Sequence, residues 1–227
     1  MNALAFVLGI PLLGSLVLAV LGDRAWARDV NVGFSLGTFV AAGFLTAHTI
    51  AVGPQTLWAQ QFFIDPLNVF LVTLTAFVSL TTAIFSRPYM RVEQDHGKMT
   101  PARMRLYHAM YQLFGFTMLL GFTTNNLGII WVAMEAATLT TVLLVSVYRT
   151  SASLEAAWKY FILCGVGIAQ ALFGTILLYM AADKVLGAEQ ATLLWTSLNA
   201  VKGQLDPTIV TLAFLFLLTP HATTVAL

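Results

Sequence analysis

Residues 129–139 read IIWVAMEAATL, one carboxylate, Glu135, in a run otherwise apolar enough to cross a bilayer. A charge at mid-membrane costs at least a few kcal/mol on insertion scales, so it faces protein or water rather than lipid. Burial raises the pKa of a carboxyl group and a nearby cation lowers it. A carboxylate balanced between those effects can take up and release a proton. Glu135 comes eight residues after Leu127, about 12 Å along a helix. Gly128, Trp131, Thr138 and Val142 share its helical face. Thr138 can hydrogen-bond the carboxylate or a water, and Gly128 allows a close helix approach. The plainer role for Glu135 is a tie between two helices.

A second polar set lies in SLEAAWKYFILCGVGIAQ. Ser151 or Ser153 can cap a helix here, with Glu155 in its first turn. Glu155 and Lys159 stand at i, i+4 in the favourable order for an ion pair. Lys159, Val166 and Gln170 fall on one face, so Glu155, Lys159 and Gln170 can line a wet path inward. Equally, Lys159 can snorkel to the membrane surface.

Other chemistry is sparse. His48 is read as interfacial, and His96 and His108 as part of a basic loop or its edge, without ligand partners at metal spacing. Gly165, Gly167, Ala171 and Gly174 make small patches for helix packing, and the methionines read as gap-fillers. The single cysteine, Cys164, excludes an internal disulfide. No Walker loop, Rossmann fingerprint, iron–sulfur cysteine pattern or HExxH is present.

These residues need a membrane scaffold to position them. The chain of 227 residues is 59% hydrophobic and 9% charged, against about 25% charged in soluble domains. It cannot cover a water-facing surface, and an all-α polytopic helix bundle is expected; no segment alternates as a barrel strand would. Apolar runs at 3–21, 30–52, 67–85, 108–122, 127–148 and 156–182 read as spans, and 209–218 as a short one stopping at Thr219-Pro220-His221. The first run lacks a basic n-region and reads as a span, not a removed signal.

Arg24, Arg28, Arg87, Arg91, Lys98, Arg103, Arg105, Arg149 and Lys159 fall on one side of this arrangement; Lys184 and Lys202 fall on the other. The positive-inside rule then puts the N-terminus outside and the loop 86–107 in the cytoplasm. The outer segment 183–206 carries Leu186, Leu193, Leu194, Trp195, Leu198 and Val201, the pattern of an interfacial helix or an aromatic-anchored loop. Two parts are expected: 1–105, three spans with the cytoplasmic loop, and 106–227, the start of a repeat.

FFIDPLNVF, PYM at 88–90, TTNNLGIIWVAMEAATL and SLEAAWKYFILCGVGIAQALFGT resemble the antiporter-like membrane subunits of complex I and hydrogenase-4 assemblies, most nearly the hydrogenase-4 F subunit. The likeness is read from about the third span to Phe216, the first two spans agreeing mainly in hydropathy. It implies a fourteen-helix fold with two inverted five-helix repeats, of which this chain is the N-terminal half. It also implies a redox-driven proton pump of a bacterial inner membrane, with protons relayed through Glu135 and Lys159. Partners would be other membrane subunits of such an assembly and the lipid bilayer, with no nucleic acid. Iron–sulfur clusters and a nickel–iron centre would lie in partner subunits, so no cofactor and no redox catalysis are assigned to this chain.

The family's seventh-helix lysine, in G-x-K-x-G before H-x-W-L-P-D-A-H, has no counterpart in AFLFLLTPHATTVAL. A chain truncated within that helix is therefore expected, with Lys159 a poor substitute partner at an axial offset of about 12 Å. A multi-subunit cation/proton antiporter subunit and a non-functional fragment are the competing readings.

Overall fold

The computed structural model describes residues 2–187 and 193–226, without the side chains of Asn2 and of residues 220–226. Helices α1 (Asn2–Leu21) and α2 (Ala27–Val52) lead into two short antiparallel strands, β1 (Gln55–Leu57) and β2 (Phe62–Ile64), with Gln55 opposite Ile64. Then follow α3 (Pro66–Asp95), α4 (Pro101–Thr123), α5 (Leu127–Val145), a 3-10 turn (Ser146–Tyr148), α6 (Ser151–Leu186), α7 (Trp195–Val201) and α8 (Pro207–Ala226). The expected all-α membrane bundle is what forms, apart from one small hairpin. By length and hydropathy α1, α2, α3, α5 and α6 can each cross a bilayer. Helix α4 packs between α1 and α5, α3 packs on α2, and α6 on both α5 and α8.

Helix starts follow from local chemistry. Asp65 accepts from the Asn68 amide at 2.7 Å with Pro66 at the first helical position, so α3 begins where FFIDPLN predicts. Thr100 and Pro101 start α4 in the same way. Asn126 caps α5, accepting from Gly128 N at 2.8 Å. At α6 the cap is Thr150 rather than Ser151 or Ser153. Ser153 reciprocates at 3.0 Å in a capping box, and the helix therefore starts early enough to leave Glu155 beyond its first turn.

Several expected boundaries move. Helix α3 runs on through Pro88 to Asp95, so the expected loop 86–107 shrinks to a link at 96–100. Because α4 starts at Pro101, His108 is not at a loop edge; it is 2% exposed inside the bundle, its ring edge-on to Tyr107 at 5.2 Å. Helix α8 continues past Thr219-Pro220 to Ala226 instead of stopping there; interior prolines are tolerated in apolar helices. In the outer segment, Leu194 and Leu198 turn inward around the short α7 while Trp195 stays exposed; residues 188–192 lie outside the described residues.

One apolar core joins Leu4 and Val7 of α1, Leu45 of α2, Ile64 of β2, Val72 of α3 and Leu119 of α4. A smaller one, at the other end, packs Met90, Met99 and Met104 on Val147, matching the gap-filling role of methionine. That second end also gathers the basic residues. Arg87 pairs with Asp29 at 2.5 Å and Lys98 with Glu93 at 3.2 Å. Gly22 sits where an added Cβ would come within 2.9 Å of the Arg105 Cα.

Candidate functional site

Helix α5 carries Glu135, and its N-terminal end is fixed by TTNN, residues 123–126. Asn125 donates to the Gln60 carbonyl at 2.8 Å and to Thr196 Oγ1 at 2.9 Å. Its backbone amide donates to the Gln61 carbonyl at 2.7 Å, and Asn126 donates to Gln61 Oε1 at 2.8 Å. The α4–α5 link is thus tied to the hairpin turn and to α7 at once. Deeper in, the Trp131 indole donates to the Ile168 carbonyl of α6 at 2.8 Å. Trp131 is four residues before Glu135, so one turn above the carboxylate α5 is pinned to α6.

Glu135 itself is half-buried and, among the described residues, has neither an ion-pair nor a hydrogen-bond partner. Thr138 does not reach it. Its hydroxyl donates to the Met134 carbonyl at 3.0 Å, and Thr141 donates to Ala137 O at 2.8 Å. Both threonines line a cavity of about 640 Å³ between α4, α5 and α6, walled mainly by apolar side chains such as Phe114 and Met118. Tyr160 of α6 enters this cavity beside Thr138, Thr141 and Cys164. Glu135 is not among the cavity-lining residues.

On α6 the expected Glu155–Lys159 pair forms at 2.5 Å, with both side chains mostly exposed. Val166, on the same face, is 58% exposed and Gln170 half-buried. The stripe therefore lies on the side of α6 turned away from the cavity. Its height is informative. With the Trp131 indole on the Ile168 carbonyl and Tyr160 beside Thr138 and Thr141, Lys159 stands roughly 6–10 Å below Glu135 along the helices.

Of the small residues, Gly167, Ala171 and Gly174 are buried, and at Gly174 an added Cβ would stand 3.0 Å from Ala213 O of α8. Gly165 faces open space, and Gly128 meets Leu193 rather than another helix. Sequence reasoning missed the Tyr160 cluster. Its signal was a pair of facing intervals, Thr138/Thr141 and Tyr160/Cys164, each within one turn. Among the described residues no three His, Cys, Asp or Glu side chains come together as a metal site.

Residues 124–225 match the family described as NADH:quinone oxidoreductase/Mrp antiporter, transmembrane. The whole chain is also 41% identical over 227 residues to the hydrogenase-4 component F homolog of Methylacidiphilum infernorum. The chain belongs to this antiporter-like family. The likeness therefore takes in the first two spans, which hydropathy alone had left weakly related. A more distant member, NADH-quinone oxidoreductase subunit N of Azoarcus sp. (strain BH72), is 28% identical over 167 residues, 73% of this chain. An archaeal membrane-bound sulfane sulfur reductase shares the fold over 97% of this chain, at a TM-score of 0.79 and 18% identity. The chain spans 46% of the first relative, 33% of the second and 44% of the structural neighbour.

Proposed function

We propose that this chain forms the N-terminal half of a proton-translocating membrane subunit in a redox-driven respiratory complex of the hydrogenase-4 type. The observation that carries the reading is Glu135: an intramembrane carboxylate, half-buried, without a partner among the described residues, one turn from the Trp131–Ile168 clamp. A carboxylate already locked in an ion pair exchanges its proton poorly; a half-buried one left unpaired is free to do so.

In this reading Glu135 is the proton-holding group at mid-membrane. Lys159 and Glu155 form an exchangeable pair nearer the basic end, close enough in height for the lysine to bias the Glu135 proton once a side chain or water spans the lateral gap. Gln170 continues the same face outward, and Thr138 lines the wall behind. The basic residues gathered at one end support a cytoplasmic face there and an N-terminus outside, in a bacterial inner membrane. Iron–sulfur and nickel–iron centres belong to partner subunits, which supply the redox energy.

The test is substrate-driven acidification of inverted vesicles containing this chain with its oxidoreductase partners, comparing native protein with Glu135→Gln. Acidification lost in the variant, with assembly and electron transfer retained, is the expected result. Equal acidification in both overturns the role of Glu135. The family description also names antiporters; sodium-dependent proton exchange without any redox substrate would favour that second reading.

A further inference from the structure

We infer that the basic end of the bundle holds a binding site for the phosphodiester headgroup of an anionic phospholipid. A cavity of about 480 Å³ opens there between the end of α1, the start of α4 and the α5–α6 connection. Arg103, Arg105 and Arg149 line it together with Thr100, while Leu106 and Met110 form an apolar wall.

The pairing pattern at this end separates these arginines from their neighbours. Arg87 and Lys98 each meet a carboxylate. Among the described residues no carboxylate pairs with Arg103, Arg105 or Arg149, and none lines the cavity. Arg103 is steadied by donating one N–H to the Lys98 carbonyl at 3.1 Å, which leaves its other donors free. Guanidinium groups sharing one concavity repel each other until an anion enters, and their planar forks match phosphate oxygens in bidentate fashion.

Free phosphate and a lipid headgroup offer the same phosphoryl chemistry. The apolar wall favours the lipid. Leu106 and Met110 lie roughly two and three turns further into α4 than Thr100, so a headgroup held by the arginines directs its acyl chains along that wall. The cavity also stands at helix ends, where headgroups reside, on the side whose basic residues attract anionic lipid.

The experiment is native mass spectrometry of the full chain released from nanodiscs made of phosphatidylcholine with phosphatidylglycerol. The expected result is retention of phosphatidylglycerol over phosphatidylcholine, weakened roughly fivefold for each arginine removed in Arg105→Gln and in the triple change at Arg103, Arg105 and Arg149. Arg24→Gln, a charge-matched change at an exposed arginine outside the cavity, keeps full retention. Salt added to the unmodified chain releases phosphatidylglycerol first, a readout independent of whether the variants fold. Equal retention of both lipids, retention unchanged in the triple variant, or salt-insensitive retention overturns the site. Displacement of the lipid by millimolar inorganic phosphate alone overturns the lipid assignment.

Discussion

Trp131 and Ile168 are joined across α5 and α6 by a 2.8 Å hydrogen bond from an indole N–H to a carbonyl in the middle of a helix. Such a carbonyl already accepts within its own helix, so the indole uses its second lone pair and leaves the helix intact. The bond orients α5 about one turn from its only acidic residue. Trp131→Phe keeps most of the packing and removes the donor. It should lower stability by roughly 0.6–1.5 kcal/mol, read by denaturant titration in detergent, and reduce proton transport less than Glu135→Gln does.

Glu135→Gln separates two roles by stability alone. A glutamate that ties helices together loses its partner on substitution and destabilises the bundle. A glutamate without a protein partner does not. Unfolding of the Glu135→Gln chain should therefore stay within about 0.5 kcal/mol of the native value. A loss of 2 kcal/mol or more would show that the carboxylate is a structural tie.

Gly174 marks where α6 and α8 touch backbone to side chain. A methyl group there meets Ala213 O at 3.0 Å and Leu217 Cγ at 2.9 Å. Gly174→Ala should force the helices apart and destabilise by about 1–3 kcal/mol. Gly165→Ala, with nothing within 4 Å of its added Cβ, should be neutral or stabilising by up to about 1 kcal/mol. Thermal unfolding of the two variants side by side checks the contrast.

The hairpin turn carries a run of backbone strain. Trp58, Ala59 and Gln60 all have positive φ, at 50°, 53° and 66°, without a glycine among them. Such residues persist where surrounding bonds over-determine them, and here Asn125 and Thr124 hold the Gln60 and Gln61 carbonyls. Gln60 acts through its backbone and its side chain is exposed, so Gln60→Gly should raise stability by about 1 kcal/mol. Asn125→Ala should lower it by about 1–3 kcal/mol. If instead Gln60→Gly destabilises in a thermal melt, the turn is not strained.

Much of this architecture is legible in the residues. Apolar runs locate the five helices long and apolar enough to cross a bilayer, and the i, i+4 spacing of Glu155 and Lys159 predicts a pair that forms at 2.5 Å. Helix ends are harder to read, because polar caps lengthen helices beyond their apolar stretches. Thr150 moves the start of α6 back, and Thr100-Pro101 brings His108 into the interior. Relations between helices are harder still. Periodicity puts Thr138 near Glu135 on one face, but the local competition for its hydroxyl by the Met134 carbonyl decides its bond. The Trp131 clamp depends on the height of α6 relative to α5, which no periodicity within either helix encodes.

Helix α6 has 36 residues, which at 1.5 Å each makes a rod about 54 Å long against a hydrocarbon layer of about 30 Å. It must lean or protrude. It is also continuous, without an interior proline, so any pivot would carry it as one piece. A pivot of about 5° at the Thr150 end sweeps the Leu186 end through about 5 Å. Contacts with α5 near Ile168 lie part-way along this arm and contacts with α8 near Gly174 further out. Displacement at those stations is ordered by distance from the cap, so leverage is built into the length of a single helix.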